Sequence, residues 1–524
     1  MPNSNSAKTK AAPVAPDTGV AVRMFCQGLG DCFLITIPQK GPRPYSIMID
    51  CGLAMNTPKQ EQIMSKVVQS IAALTSGVVD LLVVTHEHWD HVSGFVQAAD
   101  DLKPEKLKFL HLWWGWTENP DDDLAKQLKL KYHKAKKVVA RARELVAHFG
   151  ADRSSQTQLA ALDSVLAFHG LGVGKDEGIE KAMAAPAALA KAAGGDSAVE
   201  CLLPGKQLKL PGKALSGLAA GVRVYVLGPP YQAARIADDL PSKAHPETYE
   251  KARTLQAASD GLGVNWSWMA AVMDTGRGAT GLEADTEDDD NVERSNPFDA
   301  KVQVDWNGAE KHPYFAARYF AQTPENQGRR IDGDWLWTGA QKLALQLDSK
   351  TNNTSLVLAF ELPVSKKVLL FTGDAQVGNW LSWHDQDYPA DDGRKVTATD
   401  LLNRTVLYKV GHHGSHNATL RQKGLELMTH PDLVAMLPVE ADAVKRLGYG
   451  EMPLPSLVEA LKERTHDRIL RVDEPWAASA APGQWRSKLV AASIPAETLG
   501  VMTGGKPATR PLYMQYVIRD IDTG

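Results

Sequence analysis

The sequence has few cysteines, no long apolar run and no strong excess of one charge. Its 524 residues include only four cysteines, none in a C-x-x-C pair. This excludes a disulfide framework and favours reduced thiols in a cytoplasmic protein. No apolar run reaches the roughly 18 residues of a membrane span, so we expect no membrane partner. The formal net charge of -4 excludes a globally basic protein that coats nucleic acid.

Changes in composition divide the chain into segments. Residues 1–19 are polar and predict a disordered tail rather than a signal peptide. Residues 20–450 have the pattern of one folded domain with two insertions, a helical one at 117–200 and an irregular or helical one at 231–338. Residues 451–524 are predicted to form a C-terminal extension packed on the core.

Strand-like and helix-like segments alternate, which predicts an α/β fold. Strand-like runs cover Phe33–Ile37, Ser46–Asp50, Val78–Val84, Leu107–Trp114, Val222–Gly228, Ser355–Phe360, Lys367–Thr372 and Val406–Val410. Helical spacing of apolar residues covers Gln60–Leu74, Leu124–Phe149, Gln158–Phe168 and Leu457–Arg464. Several strands end in polar loops with metal-ligand residue types, which is typical of layered α/β enzymes.

The strongest local signal is the run Thr85-His-Glu-His-Trp-Asp-His91, which directly follows an apolar strand. It places three imidazoles and one carboxylate close together, and both groups are ligands of zinc, iron and manganese. The spacing lets His86 and His88 converge on one metal ion, while Asp90 and His91 reach toward a second. A polar loop with unrelated histidines is the alternative, but isolated buried histidines would each need a separate partner.

Two later strand ends carry the same residue types. Phe371-Thr-Gly-Asp-Ala375 ends an apolar strand, and the two oxygens of Asp374 could bridge two metal ions. A single strand-Gly-Asp is more often a plain turn. In Lys409-Val-Gly-His-His-Gly-Ser-His416, either His412 or His413 could complete the second metal site, and the other would position substrate or a ligand. Three such loops favour one shared site over coincidence.

These motifs together resemble those of the metallo-β-lactamase superfamily. The H-x-H-x-D-H motif of that family corresponds to residues 86–91. Asp374 resembles its bridging aspartate, the pair His412 and His413 its last ligand motif, and Asp50 in Ile49-Asp-Cys-Gly52 its first motif. The resemblance implies an α/β fold of the αββα sandwich type, with the metals at one edge between two mixed sheets.

One branch of that family shows further similarity. Gln27-Gly-Leu-Gly-Asp-Cys-Phe-Leu-Ile35 resembles the opening of the hydrolase domain of the competence protein ComEC. ComEC also carries membrane channel segments, and this sequence has none, so DNA uptake is not implied. The superfamily usually supplies a further histidine between the H-x-H motif and the bridging aspartate. His111 is one candidate, although a core or surface histidine is the commoner explanation.

The resemblance implies a metal-dependent hydrolase that uses a hydroxide activated by two divalent metal ions, predicted to be zinc with manganese or iron as alternatives. Metal binding lowers the pKa of water from about 16 to about 7. Asp90, Asp50 and His413 are the candidate catalytic residues, with Asp50 either orienting ligands or forming an ordinary strand-end turn. Asn353 and Ser415 either contact substrate oxygens or make structural hydrogen bonds. The candidate metal ligands are His86, His88, Asp90, His91, Asp374, His412 and His413.

Three functions compete. The first is hydrolysis of a phosphodiester or other phosphate ester, in nucleic acid or a nucleotide, which the ComEC-like motifs and the basic segment Lys126–Arg143 favour. The second is hydrolysis of a small carbonyl substrate such as a lactone, thioester or β-lactam, since the same metal pair serves both reactions. The third is a catalytically silent binding or regulatory protein, against which the intact ligand set argues.

Overall fold

A computed structural model describes most of the chain. The described residues are 19–149, 159, 163, 166–167, 169–170, 178–213, 215–238, 247–249, 306–321, 323, 347–390, 393–447, 451–473, 498–503 and 506–520. The tail predicted for residues 1–19, apart from Gly19, lies outside the described residues, as does most of the helix predicted over Gln158–Phe168. Most of the irregular insertion at 231–338 also lies outside them.

The first sheet has seven strands in the spatial order β18-β1-β2-β3-β4-β5-β6. Its strands are β1 Gly19–Phe25, β2 Phe33–Ile37, β3 Tyr45–Ile49, β4 Val78–Val83, β5 Lys108–Gly115, β6 Val199–Leu202 and β18 Tyr513–Arg519. Strands β18 to β3 pair antiparallel, and β3 to β6 pair parallel, so the sheet is mixed. The end of the chain therefore supplies one edge strand of this sheet.

The second sheet also has seven strands, in the order β15-β14-β13-β10-β9-β8-β7. Its strands are β7 Gln207–Lys209, β8 Arg223–Gly228, β9 Val357–Glu361, β10 Val368–Phe371, β13 Thr405–Lys409, β14 Val434–Leu437 and β15 Ile469–Arg471. Strands β10, β13, β14 and β15 run parallel, and β7 to β10 pair antiparallel. Two separate hairpins are β11 Asp387–Pro389 with β12 Lys395–Thr397, and β16 Thr498–Thr503 with β17 Lys506–Pro511.

Helices connect and cover the strands. The longer ones are Gln60–Leu74, Asp123–Phe149, Gly178–Gly194, Val377–Trp383, Ala398–Asn403, Ala441–Leu447 and Pro455–Thr465. Shorter ones are Trp89–Val92, Gly94–Gln97, Gly217–Gly221, Ala233–Ala237, Trp306–Lys311 and Pro313–Phe315, with a π-helix at Ala316–Phe320. Single 3-10 turns are Trp116–Glu118, Asp196–Ala198, Gly411–Gly414 and Leu425–Leu427, and residues 347–352 are helical. Among the described residues, no helix is both long and apolar enough to cross a bilayer.

Alternating side chains of the strands produce a layered core. In β2, Phe33 and Ile35 belong to the cluster shared by the two sheets, whereas Leu34 lies in the cluster that includes the helix Gln60–Leu74. Across the inner layer the rings of Phe33 and Phe371 lie 5.6 Å apart, in an edge-to-face arrangement. A third cluster packs the second sheet against its own helices. The predicted αββα sandwich is therefore confirmed.

The predicted elements lie close to the observed ones. The helix over Gln60–Leu74 has the predicted bounds, and most predicted strands differ by one or two residues. The strand predicted from Ser355 begins at Val357, because the backbone N–H of Ser355 closes a turn on Asn352 O at 3.0 Å. This turn proves important for the candidate site, since the Ser355 hydroxyl accepts the backbone N–H of Asp374.

Contacts divide the chain into two compact units. The first comprises Met1–Lys129, Ala167–Glu250 and Asp348–Gly524, and it contains both large sheets. The second comprises Leu130–Leu166 and Lys251–Leu347. Within the second unit, Arg143 Nε lies 2.8 Å from Asp163 Oδ1. Every residue of the candidate site belongs to the first unit.

Candidate metal centre

The H-x-H-x-D-H loop follows β4 and packs against the segments that end β1 and β3. The backbone N–H of Cys51 donates to His91 O at 2.8 Å, and that of Asp31 donates to Asp90 O at 3.0 Å. A side chain on Gly52 would place its Cβ 2.0 Å from Asp90 O, so glycine is required for this approach. The loop is therefore fixed by backbone contacts before any ligand binds.

Residues from three strand ends meet beside this loop. Asp90, His91, Asp374 and His413 are all buried, and each offers a ligand atom within 4.8 Å of the others. Two contacts are especially short: His91 Nε2 lies 3.1 Å from Asp374 Oδ2, and His413 Nε2 lies 2.8 Å from Asp90 Oδ2. The structure thus brings together four of the residues that the sequence predicts as metal ligands.

The outer nitrogens of the two histidines show that this group fits a metal ion. His91 Nδ1 lies 2.8 Å from Asp50 Oδ2, and His413 Nδ1 lies 2.6 Å from Pro438 O. Both oxygens are acceptors, so Nδ1 carries the proton and the Nε2 of a neutral ring has a lone pair. A lone pair facing a carboxylate at this distance needs a cation between the two atoms, either a proton or a metal ion. Ligating histidines generally have such outer acceptors.

The electrostatics agree with a site for positive charge. Burial opposes protonation of His91, but the carboxylates of Asp374, Asp31, Asp90 and Asp50 raise its pKa well above the usual value. Burial likewise opposes protonation of His413, yet its contact with Asp90 raises its pKa. In the absence of a metal these two rings therefore hold protons at the positions where a metal ion would bind.

His86 and His88 form the neighbouring part of the site. His86 Nε2 lies 3.1 Å from His88 Nδ1, and His86 Nδ1 lies 3.0 Å from Thr85 Oγ1. The Thr85 hydroxyl donates to Asp50 Oδ2 at 2.7 Å, so it accepts from His86 Nδ1–H, which leaves a lone pair on His86 Nε2. Burial and adjacent imidazoles lower the pKa of both histidines well below the usual value. Neutral rings are the form that binds metals.

Asp374 presents a single oxygen to the histidines. Its Oδ1 accepts from Lys409 Nζ at 3.1 Å and from the backbone N–H of His412 at 2.9 Å. Its Oδ2 faces His91 Nε2. Burial opposes ionisation of Asp374, but His91 and Lys409 hold its pKa well below the usual range. Oδ2 is therefore the oxygen that Asp374 would offer to a metal ion.

Sequence reasoning gave no role to Lys409 and Asp31, which both belong to the site. Lys409 Nζ lies 2.5 Å from Asp31 Oδ2, and both side chains are buried. Lys409 is the first residue of the motif Lys409–His416, and Asp31 lies in the ComEC-like motif Gln27–Ile35. The sequence signal for Lys409 was a charged residue at the end of an apolar strand, and β13 is indeed buried at every position.

The structure places His412 and His413 in different surroundings. Both adopt left-handed backbone conformations, with φ values of 42° and 53°, so that successive side chains diverge and their rings lie 6.0 Å apart. His413 joins the group with Asp90, while His412 Nδ1 lies 3.0 Å from the Ser415 hydroxyl. Burial lowers the pKa of His412 to about 4. Ser415 thus contacts a histidine of the site and is itself buried.

Asn353 is fully buried and anchors the loop that carries Asp374. Its Nδ2 donates to Ile236 O and Asp238 O, at 3.2 and 2.9 Å. Its Oδ1 accepts from the backbone N–H groups of Gln376 and Asn379, at 3.0 and 3.3 Å. These four bonds use the hydrogen-bonding capacity of the amide, so the geometry gives Asn353 a structural role.

A second buried group surrounds the far side of His88. His88, His169 and Asp348 each offer a ligand atom within 4.8 Å of the others. His169 stands between the H-x-H motif and Asp374 in sequence, where the family resemblance predicts a further histidine. His111 lies in β5 opposite Leu81, and it belongs to none of the candidate ligand groups among the described residues.

Comparison with protein-family models matches residues 28–154 to the metallo-beta-lactamase superfamily. Comparisons with curated proteins and with solved structures gave no match. They give no evidence for the ComEC-like branch, which stays a hypothesis. The matched segment includes the H-x-H-x-D-H loop, and the fold adds Asp374 and His413 to it. Residues 28–154 are therefore similar to the metallo-beta-lactamase superfamily, and the chain has buried histidine and aspartate groups that fit a metal site.

Proposed function

We propose that the protein is a metal-dependent hydrolase that cleaves a phosphodiester or another phosphate ester. One observation carries the metal-dependent part of this proposal. His91 Nε2 faces Asp374 Oδ2 at 3.1 Å and His413 Nε2 faces Asp90 Oδ2 at 2.8 Å, while the outer nitrogen of each ring is already bonded to an acceptor. Both contacts need a cation, and together they define one ligand set.

The charge of the buried site supports the binding of divalent cations. The carboxylates of Asp31, Asp50, Asp90 and Asp374 are opposed by the single ammonium of Lys409, which leaves a net charge of -3 with neutral histidines. One divalent cation would reduce this charge to -1, and two would bring it to +1. Burying an uncompensated charge of -3 is costly, so the site favours bound cations, and the presence of two neighbouring ligand groups favours two of them. Imidazole and carboxylate ligands suit zinc, with manganese or iron as alternatives.

The ligand groups divide between the two ions. His86 and His88 would hold the first, and Asp90, His91 and His413 the second, with Asp374 Oδ2 as a further ligand atom. When bound, such ions would supply Lewis acidity and lower the pKa of a bound water to about 7. Asp50 keeps His91 in the orientation that presents Nε2, because Asp50 Oδ2 accepts its Nδ1–H. Pro438 O does the same for His413.

Asp90 and His412 are placed to handle protons and substrate. Asp90 Oδ2 contacts His413, whereas its Oδ1 is buried and has no hydrogen-bond partner among the described residues. Oδ1 is therefore the atom that would accept a proton from an attacking water. His412 is neutral at physiological pH, and the Ser415 hydroxyl, which donates to Asn417, accepts its Nδ1–H. With Nδ1 directed to Ser415, Nε2 is the atom that His412 would present to substrate.

Divalent cations at the site would attract an anionic substrate, which is why we prefer a phosphate ester to a neutral lactone, thioester or β-lactam. The basic segment Lys126–Arg143 adds little to this argument. Lys126 Nζ lies 3.4 Å from Asp123, and Lys129 Nζ lies 2.7 Å from Glu118, so part of its charge is balanced. The choice of substrate therefore depends on the charge of the metal site.

Metal analysis and a substrate panel test the proposal. We expect about two equivalents of metal in the purified protein, and cleavage of bis-p-nitrophenyl phosphate that is lost with a chelator and restored by zinc or manganese. Cleavage of a lactone, thioester or β-lactam without phosphodiester cleavage would instead support the carbonyl alternative. Tight metal binding without turnover on the whole panel would support a silent binding protein.

A further inference from the structure

We propose that Asp348 is a positioning residue for His88, whose Nε2–H it accepts so that Nδ1 is directed toward the first metal ion. This inference rests on the proposed function and adds to it a residue outside all the recognised motifs. Asp348 belongs to the helical residues 347–352, far from the H-x-H-x-D-H loop in sequence. The fold places its carboxylate beside the loop, with 14% of the side chain exposed.

The two nitrogens of His88 face different groups. Nδ1 lies 3.1 Å from His86 Nε2, and Nε2 lies 3.7 Å from Asp348 Oδ1. Two nitrogens bound tetrahedrally to one zinc ion, each at about 2.0–2.1 Å, are roughly 3.3 Å apart. The separation between His86 and His88 fits this value. Nδ1 is therefore the metal side of His88, and Nε2 carries the proton.

Asp348 is held in an orientation that suits this role. The Asn352 amide, which is buried, donates to Asp348 Oδ2 at 3.4 Å, so Oδ1 is the oxygen that faces His88. His91 has an equivalent outer acceptor in Asp50, and His413 has one in Pro438 O. Ligating histidines almost always have such a partner on the second nitrogen. Asp348 is the group that faces the second nitrogen of His88, at a separation of 3.7 Å.

His169 closes the other side of His88. The two rings lie 4.9 Å apart and nearly perpendicular, and His169 is fully buried. Its turn is fixed against the loop by Gly170, whose φ is 67° and whose added Cβ would lie 2.9 Å from Trp89 Cε3. Trp89 stands inside the H-x-H-x-D-H motif. The insertion and the loop are thereby packed together around the outer edge of His88.

The three residues could instead hold a separate cation among themselves. The two nitrogens of His88 favour the positioning role. A cation on Nε2 would make the His88 ring bridge two cations, one on each nitrogen. A carboxylate that only accepts the Nε2–H does not require the ring to bind a second cation.

Zinc titration of the full-length protein against a competing chelator tests this role. We expect Asp348→Asn and Asp348→Ala to bind two equivalents at saturation, with the affinity of one equivalent lowered roughly 10–100-fold. The other equivalent and the melting temperature of the metal-free protein should stay unchanged. Asp348→Glu should recover part of the affinity. Asp432→Asn is the matched control, since it makes the same chemical change at a side chain that is 59% exposed.

Two results would overturn the inference while leaving the proposed function intact. One is wild-type affinity for both equivalents in Asp348→Ala. The other is a third equivalent in the wild-type protein that disappears in Asp348→Ala, since Asp348 would then be a direct ligand of a separate site. Absence of zinc binding by the wild-type protein would instead remove the proposed function together with this inference.

Discussion

Lys409 and Asp374 form an ion pair at the centre of the buried site, with Lys409 Nζ 3.1 Å from Asp374 Oδ1. Nζ also contacts Asp31 Oδ2 at 2.5 Å and Gly373 O at 2.8 Å, so each of its three protons has an acceptor. Burial opposes the charged amine, but Asp31 and Asp374 raise the pKa of Lys409. The ammonium therefore stays charged, and it turns Asp374 so that Oδ2 faces the histidines.

Replacement of this lysine should be costly. Lys409→Met leaves Asp31 and Asp374 without their buried counter-charge, so we expect the free energy of unfolding of the metal-free protein to fall by about 3–5 kcal/mol. Urea denaturation followed by circular dichroism measures this change. Lys367→Met is the control, because Lys367 pairs with the exposed Asp432 and should contribute about 0–1 kcal/mol. Similar losses of unfolding free energy in both variants would show that the buried ion pairs of Lys409 stabilise the protein no more than the pair between Lys367 and Asp432.

The stability of the metal-free protein should depend on pH in two opposite ways. His86 and His88 have lowered pKa values, so the unfolded chain binds more protons below about pH 6.5, and stability rises with pH up to that point. His91 and His413 have raised pKa values, so the folded chain binds more protons above about pH 6.5, and stability then falls as pH rises through those values.

Thermal unfolding in a chelating buffer between about pH 5 and pH 9 checks this expectation, with a maximum near pH 6.5 as the predicted result. Added zinc should remove the decline on the alkaline side, since the metal ion takes the place of the protons on His91 and His413. A metal-free protein whose melting temperature increases steadily up to pH 9 would contradict the assigned shifts of these two histidines.

Substitution of the two adjacent histidines separates ligand from non-ligand. His413→Ala should lose about one of two equivalents of metal, because it removes the partner of Asp90. His412→Ala should keep both equivalents and lower the turnover number, because its ring contacts Ser415 and is proposed to contact substrate. Metal analysis of the two variants, with phosphodiester hydrolysis assayed in parallel, makes the comparison. Loss of metal from His412→Ala with full retention by His413→Ala would reverse the assignment.

Substitution of Gly52 tests whether backbone packing holds the H-x-H-x-D-H loop in place. Gly52→Ala would push a methyl group against Asp90 O, which lies 2.0 Å from the added Cβ. We expect destabilisation of at least about 1–3 kcal/mol and weaker zinc binding. Gly115→Ala is a milder control, because its nearest contact would be the Pro229 ring at 3.3 Å. Chelator competition should show normal zinc affinity for Gly115→Ala, and equal affinity in both variants would speak against fixation by Gly52.

Much of the fold could be predicted because its signals are local. A strand buried on both faces appears as a continuous apolar run, as in Val78–Val84, and the spacing of apolar residues over Gln60–Leu74 directly predicts a helix. The ligand types at the ends of β4, β10 and β13 are equally visible. The C-terminal strand β18 was not predicted, because its pairing partner β1 lies at the other end of the chain.

The sequence by itself determined the layered α/β fold and the three strand ends that supply metal-ligand residue types, because strand periodicity and side-chain chemistry are properties of short segments. Only the tertiary structure decided that Asp90 faces His413, 323 residues away, and that Lys409 occupies one oxygen of Asp374. It also placed His413 rather than His412 against Asp90, and Asp348 beside His88. The orientation of a ring or carboxylate depends on its outer hydrogen-bond partners, and those partners come from segments that only folding brings together.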